Sequence, residues 1–378
     1  MKPRQLVFVN QSSGYLMVDI IHAFEDKYSE RVLITGFLNP RNKPLDPRVK
    51  VEGMIPYDRS SSIRRVWSWG IGFLKVLWLI KTKYRNADLF LVSNPPFATL
   101  IPLFCSNKYK ILIYDIYPDA LVEFGYFKKD SFAVRLWGKA NKKVYSASQK
   151  VYTLTEGMKS RMLNYVAADK IQVVPIWTDN DFLKPILKSE NPIFEELGWE
   201  GKFIVMYSGN LGKSHPVEIM VDLAKMCKVP EIQFVIIGGG DKFEMIQALI
   251  KKSNSGNIQL LPWQPTQKLP FTLAAAHLGV VTISDEAADL SIPSKTFNLM
   301  SVGVPILGIS PDQSALSELI HSEEIGKSFN SKSSENMIMF IEQLYENPDL
   351  HNKLSIKSMM ASNKFTVKNT EFYLADVS

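Results

Sequence analysis

Residues 202–216 read Lys-Phe-Ile-Val-Met-Tyr-Ser-Gly-Asn-Leu-Gly-Lys-Ser-His-Pro. The run begins as an apolar strand, passes through a loop that holds Gly209 and Gly212, and reaches Pro216, a residue type that favours the first turn of a helix. A buried strand that leads through a glycine loop into a helix is the repeating unit of a doubly wound parallel sheet. This stretch therefore predicts an α/β fold.

The same alternation of strand and helix continues on both sides of this loop. Apolar strands are predicted from residue 5 to residue 174 and again from residue 232 to residue 308. The segment between the two series, Trp177–Pro192, is polar and holds two prolines, as is typical of a boundary between domains. We predict two Rossmann-like parallel-sheet domains, the first at residues 1–176, whose strand ends face each other across a cleft.

Composition excludes several classes of protein. The chain has 378 residues, of which 46% are hydrophobic and 22% are charged, so it is globular and not disordered. Its two cysteines, Cys105 and Cys227, exclude a disulfide framework and favour a reducing compartment. The apolar run Leu6–Val9 is too short for a signal peptide, and no apolar stretch reaches the length of a spanning helix. The five histidines have no paired spacing, so we predict no metal site.

Charge is distributed unevenly between the two predicted domains. Residues 1–176 hold 27 basic and 14 acidic residues, a net charge of +13, and they contain every arginine of the chain. Residues 177–378 hold 17 basic and 24 acidic residues, a net charge of −7. The first domain is therefore expected to meet an anionic partner, either phosphate groups, nucleic acid or an anionic membrane surface. Nucleic acid is the weakest of these, because no recognisable binding module is present.

The segment Ile63–Arg85 is apolar in its centre and basic at both ends. Its apolar stretch, Val66–Ile80, would be roughly 22 Å long as a helix, short of a bilayer core of about 30 Å. It contains three tryptophans, which are common where proteins meet the lipid interface. A helix lying in an anionic leaflet and a buried helix of an α/β domain both fit this pattern, and the basic first half favours the membrane surface.

Two loops of the second half have the features of an anion site. In Gly209–Lys213, the glycines allow backbone amides to approach a phosphate and the lysine supplies a charge. Residues 291–305 read Ser-Ile-Pro-Ser-Lys-Thr-Phe-Asn-Leu-Met-Ser-Val-Gly-Val-Pro, which places the amides of Ser294, Lys295 and Thr296 at a helix start as free donors. Each loop alone is equally consistent with an ordinary turn and an exposed lysine, but together they predict a phosphate site.

Other strand ends carry candidate ligand contacts. A nucleotide base would fit beside Gly238 and Gly239, and against Trp263 and Gln264, unless these form an ordinary packed loop. The acidic loop at residues 284–289 would accept hydrogen bonds from sugar hydroxyls, or is simply solvated. In the first half, strand ends carry four further candidates, which are Ser13, Gly14, Asp115 and Asp119. The alternative for these four is capping at the edge of the core.

The motifs together resemble glycosyltransferase family four, which has the GT-B fold, and in particular its bacterial branch for capsular polysaccharide and O-antigen. The resemblance extends over nearly the whole chain, and the segments that carry it are Asn94–Pro96, Asp115–Asp119, Tyr207–Lys213 and Ile292–Pro305. It implies a nucleotide-sugar-binding domain at 177–363 and an acceptor-binding domain at 1–176, with a C-terminal helix at about 364–378 that packs back on the latter.

The resemblance also implies an activity. The enzyme would move a hexosyl or N-acetylhexosaminyl group from a nucleotide-sugar, usually a UDP-sugar, to a glycan linked to polyprenyl diphosphate. It would work at the cytoplasmic face of the membrane, retain the anomeric configuration, and need neither a metal nor another cofactor. The implied catalytic residues are Lys213, Lys295, Glu286 and Asp119. The implied donor-binding residues are Ser13, Gly14, Gly209, Asn210, Gly212, Gly238, Gly239, Trp263, Gln264, Ser294, Thr296 and Asn298.

The sequence departs from the family pattern at the positions of two glutamates. These positions are occupied here by Leu290 and Asn298, and the usual arginine after the first loop glycine is replaced by Asn210. Lys213 and an acid of the loop at 284–289 would then compensate. Two alternatives stay open, a non-hydrolysing UDP-sugar epimerase and a catalytically silent nucleotide-sugar-binding subunit. Turnover of the donor without an acceptor would indicate the first, and binding without turnover the second.

Overall fold

The computed structural model describes residues 4–58, 62–123, 125–212, 214–285, 288 and 292–375. The chain forms two compact units: unit 1 is Met1–Pro175 together with Val367–Ser378, and unit 2 is Ile176–Thr366. Each unit is built on a sheet whose strands are all parallel and whose core strands are nearly continuous apolar runs. The α/β fold expected from the sequence is therefore confirmed.

Unit 1 contains a seven-stranded sheet with the order β5-β3-β1-β6-β7-β8-β9, and a separate two-stranded sheet, β2-β4. Its strands are β1 Gln5–Val9, β2 Ser12–Gly14, β3 Glu30–Thr35, β4 Phe37–Asn39, β5 Lys50–Gly53, β6 Asp88–Val92, β7 Tyr109–Leu112, β8 Lys150–Thr153 and β9 Ile171–Val173. Its helices are α1 Tyr15–Ala23, α2 Ser62–Thr82, α3 Asp119–Glu123, α4 Phe132–Ala147 and α5 Glu156–Met162, with 3-10 turns at Pro96–Leu103, Ala168–Lys170 and Val367–Tyr373.

Residues 367–373 return to unit 1 after the chain has built unit 2. The Tyr373 ring is buried against Phe90 and Tyr152, with ring centroids 5.6 and 4.8 Å apart. Lys110 Nζ, on strand β7, donates to the backbone carbonyl of Tyr373 at 3.1 Å. The segment is a 3-10 helix, Val367–Tyr373, in the region where the resemblance implies a C-terminal helix.

Unit 2 contains a six-stranded sheet with the order β12-β11-β10-β13-β14-β15. Its strands are β10 Phe203–Asn210, β11 Ile232–Gly239, β12 Ile258–Leu261, β13 Leu278–Thr282, β14 Ile306–Ile309 and β15 Gly326–Phe329. Its helices are α6 Ile193–Leu197, α7 Ile219–Met226, α8 Phe243–Ser253, α9 Leu269–Ala275, α10 Lys295–Ser301, α11 Ala315–Ser322, α12 Ser334–Glu346 and α13 Pro348–Ser362, with 3-10 turns at Lys188–Glu190 and Thr266–Lys268.

One predicted helix start is wrong. The sequence predicts a helix from Pro216, but α7 begins at Ile219. The three residues before it form tight turns, in which Val217 N–H donates to the His215 carbonyl at 2.9 Å and Met220 N–H donates to the Val217 carbonyl at 3.0 Å. The loop that follows β10 is therefore longer than the sequence suggests, and the start of α7 does not lie directly after its glycines.

Helix α2 covers the apolar segment that the sequence singled out. Among the residues that the structure describes, no helix is both long and apolar enough to cross a membrane. One face of α2 packs into the core of unit 1 through residues such as Val76, Leu79 and Ile80. The opposite face carries an exposed apolar stripe, which is described below with the proposals.

Candidate functional site

The candidate site lies at the carboxyl ends of β10, β11 and β13 in unit 2. Strand β10 pairs with β11 on one side and with β13 on the other, so the order of the sheet reverses between β10 and β13. The loops that leave such a reversal point run in opposite directions and open a crevice, which is where open α/β sheets bind ligands. The loop after β10 and the helix α10, which follows β13, both start at this point.

Glycines allow the ends of β10 and β11 to approach each other closely. Gly209 is paired in register with Gly238, and Asn210 with Gly239. A Cβ atom on Gly238 would lie 1.9 Å from the carbonyl oxygen of Gly209, and Gly238 has a φ of +154°, a conformation that L side chains rarely adopt. Only glycine fits here, because the two backbones approach too closely for a side chain at position 238.

The side chain of Lys295 lies against Gly209 at the end of β10. Its Nζ lies 3.7 Å from the centroid of the Tyr207 ring, in a cation–π contact. A Cβ on Gly209 would be 2.8 Å from the same Nζ, so the lysine occupies space that any larger residue at 209 would take. The Nζ atom is buried and has no hydrogen-bond partner among the described residues. A buried ammonium without a hydrogen-bond partner lowers the stability of the free protein, and this indicates that the group binds an anion.

Burial lowers the pKa of two basic groups at the site, Lys295 and His215. It lowers the pKa of Lys295 to about 7, because the charged form loses its hydration. Burial, reinforced by the nearby charge of Lys295, lowers the pKa of His215 to about 4, so this imidazole is neutral at neutral pH. His215 Nδ1 lies 2.7 Å from the Thr282 carbonyl and therefore carries the proton, which leaves Nε2 as an acceptor.

Hydrogen bonds hold the loop after β10 in place. The Tyr207 hydroxyl donates to the Asn210 carbonyl at 2.6 Å. Lys242 Nζ donates to the His215 carbonyl at 3.0 Å and to the Glu218 carboxylate at 2.9 Å. The loop is thus fixed at both ends before any ligand arrives, and such preorganisation reduces the entropy lost on binding.

The residues expected to border a base lie together. A Cβ on Gly239 would be 2.7 Å from the Trp263 indole Nε1, so the tryptophan lies directly on the end of β11. Trp263 is 58% exposed, although it is a large apolar side chain beside a strand end. The Gln264 amide donates to the Pro262 carbonyl at 3.0 Å and keeps its oxygen available. The structure therefore brings Gly238, Gly239, Trp263 and Gln264 to one edge of the site.

The start of α10 differs in part from the expectation. The amide of Thr296, predicted to be a free donor, donates to the Pro293 carbonyl at 3.0 Å. Ser294 is exposed at the N-terminal boundary of α10, whereas Thr296 is buried with a hydroxyl that has no partner among the described residues. Asn298 Oδ1 accepts a hydrogen bond from the Thr178 hydroxyl at 2.6 Å, so this oxygen is already occupied.

In unit 1, the predicted site residues are largely engaged within the fold. The Ser13 hydroxyl is buried, donates to the Asn10 carbonyl at 3.2 Å and accepts from the Thr35 hydroxyl at 3.0 Å, so it is not free to bind a ligand. Gly14 precedes α1, and a Cβ there would meet only the Asn39 carbonyl, at 4.0 Å. Asp119 accepts from the Tyr165 hydroxyl at 2.9 Å, and partial burial raises the pKa of its carboxyl.

Some predicted residues cannot be placed. Lys213 and Glu286 lie outside the described residues, as do Asp289 of the acidic loop and the adjacent Leu290. Gly212 is described, and a Cβ there would be 2.7 Å from the side-chain amide nitrogen, Nδ2, of Asn210. Within the described part of the chain, no group of three or more His, Cys, Asp or Glu side chains is placed to bind a metal ion.

Sequence reasoning missed three contributors to the site. These are Tyr207, Lys242 and His215, to which the sequence analysis assigns no individual role. The available signal was the strand end itself, because Tyr207 immediately precedes Ser208 and Gly209 in the loop motif. Nothing in the local sequence indicates that Lys242 reaches back across the loop.

Two comparisons with known proteins point to glycosyltransferases. The family model for glycosyl transferases group 1 matches residues 189–358, which lie within unit 2 and include all the strand ends described above. "Probable glycosyltransferase WbjE" of Pseudomonas aeruginosa is 25% identical over 334 residues, or 85% of this chain and 83% of the relative. Both matches support the resemblance to glycosyltransferase family four.

Solved structures give this glycosyltransferase the GT-B fold. A crystal structure of Anabaena Alr3699/HepE in complex with UDP and glucose superposes with a TM-score of 0.75 at 15% identity, covering 99% of this chain and 98% of that one. WaaG, a glycosyltransferase involved in lipopolysaccharide biosynthesis, superposes with a TM-score of 0.73 at 12% identity, covering 99% of each chain. The GT-B fold predicted from the motifs is therefore confirmed.

Proposed function

We propose that this glycosyltransferase moves a sugar from a nucleotide-sugar, a UDP-sugar, to a lipid-linked glycan, with retention of configuration and without a metal ion. The observation that carries the donor proposal is the buried, unpartnered ammonium of Lys295 beside Gly209. A diphosphate would supply the missing anionic partner and accept hydrogen bonds from the strand ends. The similarity to the UDP complex of Alr3699/HepE supports UDP as the nucleotide.

The proposed chemistry follows from where charge develops. When the bond between the sugar and the diphosphate breaks, negative charge builds up on the leaving phosphate oxygen. The Lys295 ammonium lies in a buried setting, where a fixed positive charge stabilises such an oxygen more than it would in water. This residue would therefore stabilise the leaving group, a role that a metal cation has in other enzymes. Lys213 and Glu286 remain proposed catalytic residues on the basis of the motif alone, as Asp119 does for the acceptor.

The similarity to WaaG, a glycosyltransferase involved in lipopolysaccharide biosynthesis, supports a role in bacterial surface polysaccharide, such as capsule or O-antigen. The proposed acceptor is a glycan on polyprenyl diphosphate. Such an acceptor requires the enzyme to work at the inner face of the cell membrane. Helix α2 supports this location, because Trp67, Ile71, Leu74 and Trp78 form an exposed apolar stripe along one face. The spacing of four, three and four residues places them on the same side of the helix.

The donor proposal is tested with UDP and UDP-sugars by thermal shift, followed by transfer assays with a membrane extract as acceptor. A ligand at 100 times its Kd raises stability by about 2.7 kcal/mol, which gives a readily measured increase in Tm. GDP and its sugars serve as the comparison nucleotides. A larger shift with GDP than with UDP would contradict the choice of nucleotide. Conversion of the donor without acceptor would indicate an epimerase, and binding without any turnover a silent subunit.

The role of Lys295 is tested with Lys295→Met, which keeps the length of the side chain and removes its charge. We expect a loss of the UDP shift and a rate lower by roughly 10²-fold or more, together with a higher Tm of the free protein, because an unpaired buried charge has been removed. The matched control is Lys252→Met, at an exposed position on α8. Normal UDP binding and turnover by Lys295→Met would refute the proposed role.

A further inference from the structure

Two helices of unit 1 contain no acidic residue and expose apolar side chains side by side with basic ones. Helix α2 holds four basic residues, and so does α4, where the basic residues are Arg135, Lys139, Lys142 and Lys143. Trp67 and Leu74 of α2 are 66% and 64% exposed, and Phe132 of α4 is 75% exposed. Large apolar residues with this exposure, surrounded by one sign of charge, indicate a surface that binds an anionic amphiphile.

A groove runs between these two helices. It has a volume of about 830 Å³ and is lined on one side by Trp67, Ile71 and Leu74, and on the other by Leu136 and Ala140. No charged or hydroxyl-bearing side chain lines it. A concave apolar surface of this size falls within the range of about 300–1,000 Å³ that is usual for small-molecule sites. Its predominantly apolar lining fits a hydrocarbon chain.

A second, polar pocket adjoins the groove. Its volume is about 530 Å³, and it is lined by Lys81, Arg85 and Asn107. Leu103 and Phe104 line both cavities, so the apolar groove and the polar pocket are neighbours. Within the described part of the chain, neither Lys81 nor Arg85 forms an ion pair. Two uncompensated cations beside an apolar groove match a molecule with a phosphate at the end of a hydrocarbon chain.

We infer that the groove between α2 and α4 holds one acyl chain of an anionic phospholipid, whose phosphate lies at Lys81 and Arg85. The site extends the proposed membrane association from surface contact to capture of an individual lipid. It thus rests on that proposal, but binding of a lipid monomer and binding of a vesicle are measured separately. Lipid capture would fix unit 1 at one depth and orientation on the membrane.

The first experiment uses lysophosphatidylglycerol, a single-chain anionic lipid, at concentrations below those at which it forms micelles. Binding to the full chain is measured by calorimetry. Each additional buried methylene should strengthen binding by about fourfold, so a chain of 12 carbons should bind about 15-fold more tightly than one of 10 carbons. Lysophosphatidylcholine and inorganic phosphate should each bind more weakly. Affinity that does not depend on chain length would overturn the inference.

The second experiment fills the groove. Ala140→Phe and Ala133→Phe place a ring among residues that line it, and Ala133 is exposed, so this variant does not threaten the core. Both should weaken binding of the monomeric lipid by at least tenfold. The matched control is Ala147→Phe, the same change at an exposed position of α4 outside the groove. Equal affinities in all three variants would refute the site.

The third experiment removes the cations. Lys81→Gln combined with Arg85→Gln should weaken binding of the monomer by about fivefold per charge, whereas Lys142→Gln combined with Lys143→Gln should leave it unchanged. Vesicles of phosphatidylglycerol and phosphatidylcholine form the separate arm. The groove-filling variants should still bind these vesicles, because the exposed stripe and the basic residues remain. If the wild type binds vesicles but no monomer, the membrane proposal stands and the groove inference falls.

Discussion

Lys295 combines two properties that oppose each other in the free protein. Its side chain supplies the charge that a diphosphate needs, yet its Nζ is buried without a partner and lies on the face of Tyr207. Such a group destabilises the empty protein and stabilises the complex. The stability lost in the free state is a common accompaniment of functional sites, because a site built for a ligand is incomplete without it.

Nucleotide binding should therefore be accompanied by proton uptake. The pKa of Lys295 is lowered to about 7 in the free protein, so at pH 8 the amine is mostly neutral. A bound diphosphate favours the ammonium form and raises this pKa. We expect close to one proton to be taken up per UDP at pH 8, and less at pH 6, where the amine is already charged. Calorimetry in buffers of different ionisation enthalpy measures the number directly.

Lys295→Arg provides the control for this measurement. Arginine keeps its charge at all relevant pH values, so any nucleotide that this variant binds should enter without proton uptake. If the wild type took up no proton at pH 8, the ammonium would not be the group that meets the diphosphate.

At the scale of elements, the close approach of the ends of β10 and β11 determines whether the site forms. Gly238→Ala would place a methyl group 1.9 Å from the Gly209 carbonyl oxygen, in a backbone conformation that alanine avoids. We expect a loss of about 3 kcal/mol or more in the free energy of unfolding, and loss of the UDP shift, because the strands must separate. Denaturant unfolding and thermal shift with UDP are the measurements.

Gly256, which lies outside these two strand ends, serves as the reference glycine. Gly256 has no atom within 4 Å of the position that its Cβ would occupy, and its φ is outside the left-handed range. Gly256→Ala should change the free energy of unfolding by no more than about 0.5 kcal/mol and leave UDP binding intact. Equal behaviour of the two variants would show that the close approach of β10 and β11 is not needed.

The sequence predicted these elements better than it predicted their contacts. The strand–loop–helix pattern around Gly209 placed β10 and its glycines correctly, because apolar runs and glycine turns are local signals. It did not predict β5, β15, the β2-β4 pair or the 3-10 turn at Pro96–Leu103, which depend on pairing with distant segments. Burial of Lys295 could not be foreseen either, since it arises from the position of its side chain against Tyr207 and Gly209 of β10.

The segment Ile63–Arg85 has one buried face and one exposed apolar face in the structure. The sequence left open a buried helix or a helix at a membrane surface. In the structure, the face that carries Val76 and Ile80 is buried, while the face that carries Trp67 and Leu74 is exposed. Periodicity alone could not separate the two, because both faces of α2 are apolar.

For the whole molecule, the basic groups that lie inside it determine how stability depends on pH. Burial lowers the pKa of Lys188 to about 7, as it does for Lys295, while in the unfolded chain lysine titrates near 10.5. The unfolded state therefore binds more protons between about pH 7 and 10.5, and stability rises with pH across this window. Burial also lowers the pKa of His277, to about 3, so stability falls as pH drops below about 6.5.

We therefore expect the free protein to be most stable between about pH 8 and 10, above the usual maximum between about pH 5 and 8. Above this range, buried tyrosines such as Tyr207, whose pKa is raised by burial, contribute a loss of stability as the unfolded chain ionises first. Thermal unfolding from pH 5 to pH 11 tests this. Lys295→Met should flatten the rise above pH 7, and a maximum near pH 6 in the wild type would contradict the expectation.

The return of residues 367–373 to unit 1 reverses the usual order of events during synthesis. Domains generally fold from the N-terminus as the ribosome releases them, at about 5–20 residues per second. Here all of unit 2, which ends at Thr366, is translated before Tyr373, whose ring packs against Phe90 and Tyr152. Unit 1 begins the chain but therefore cannot be completed until the whole chain has been synthesised.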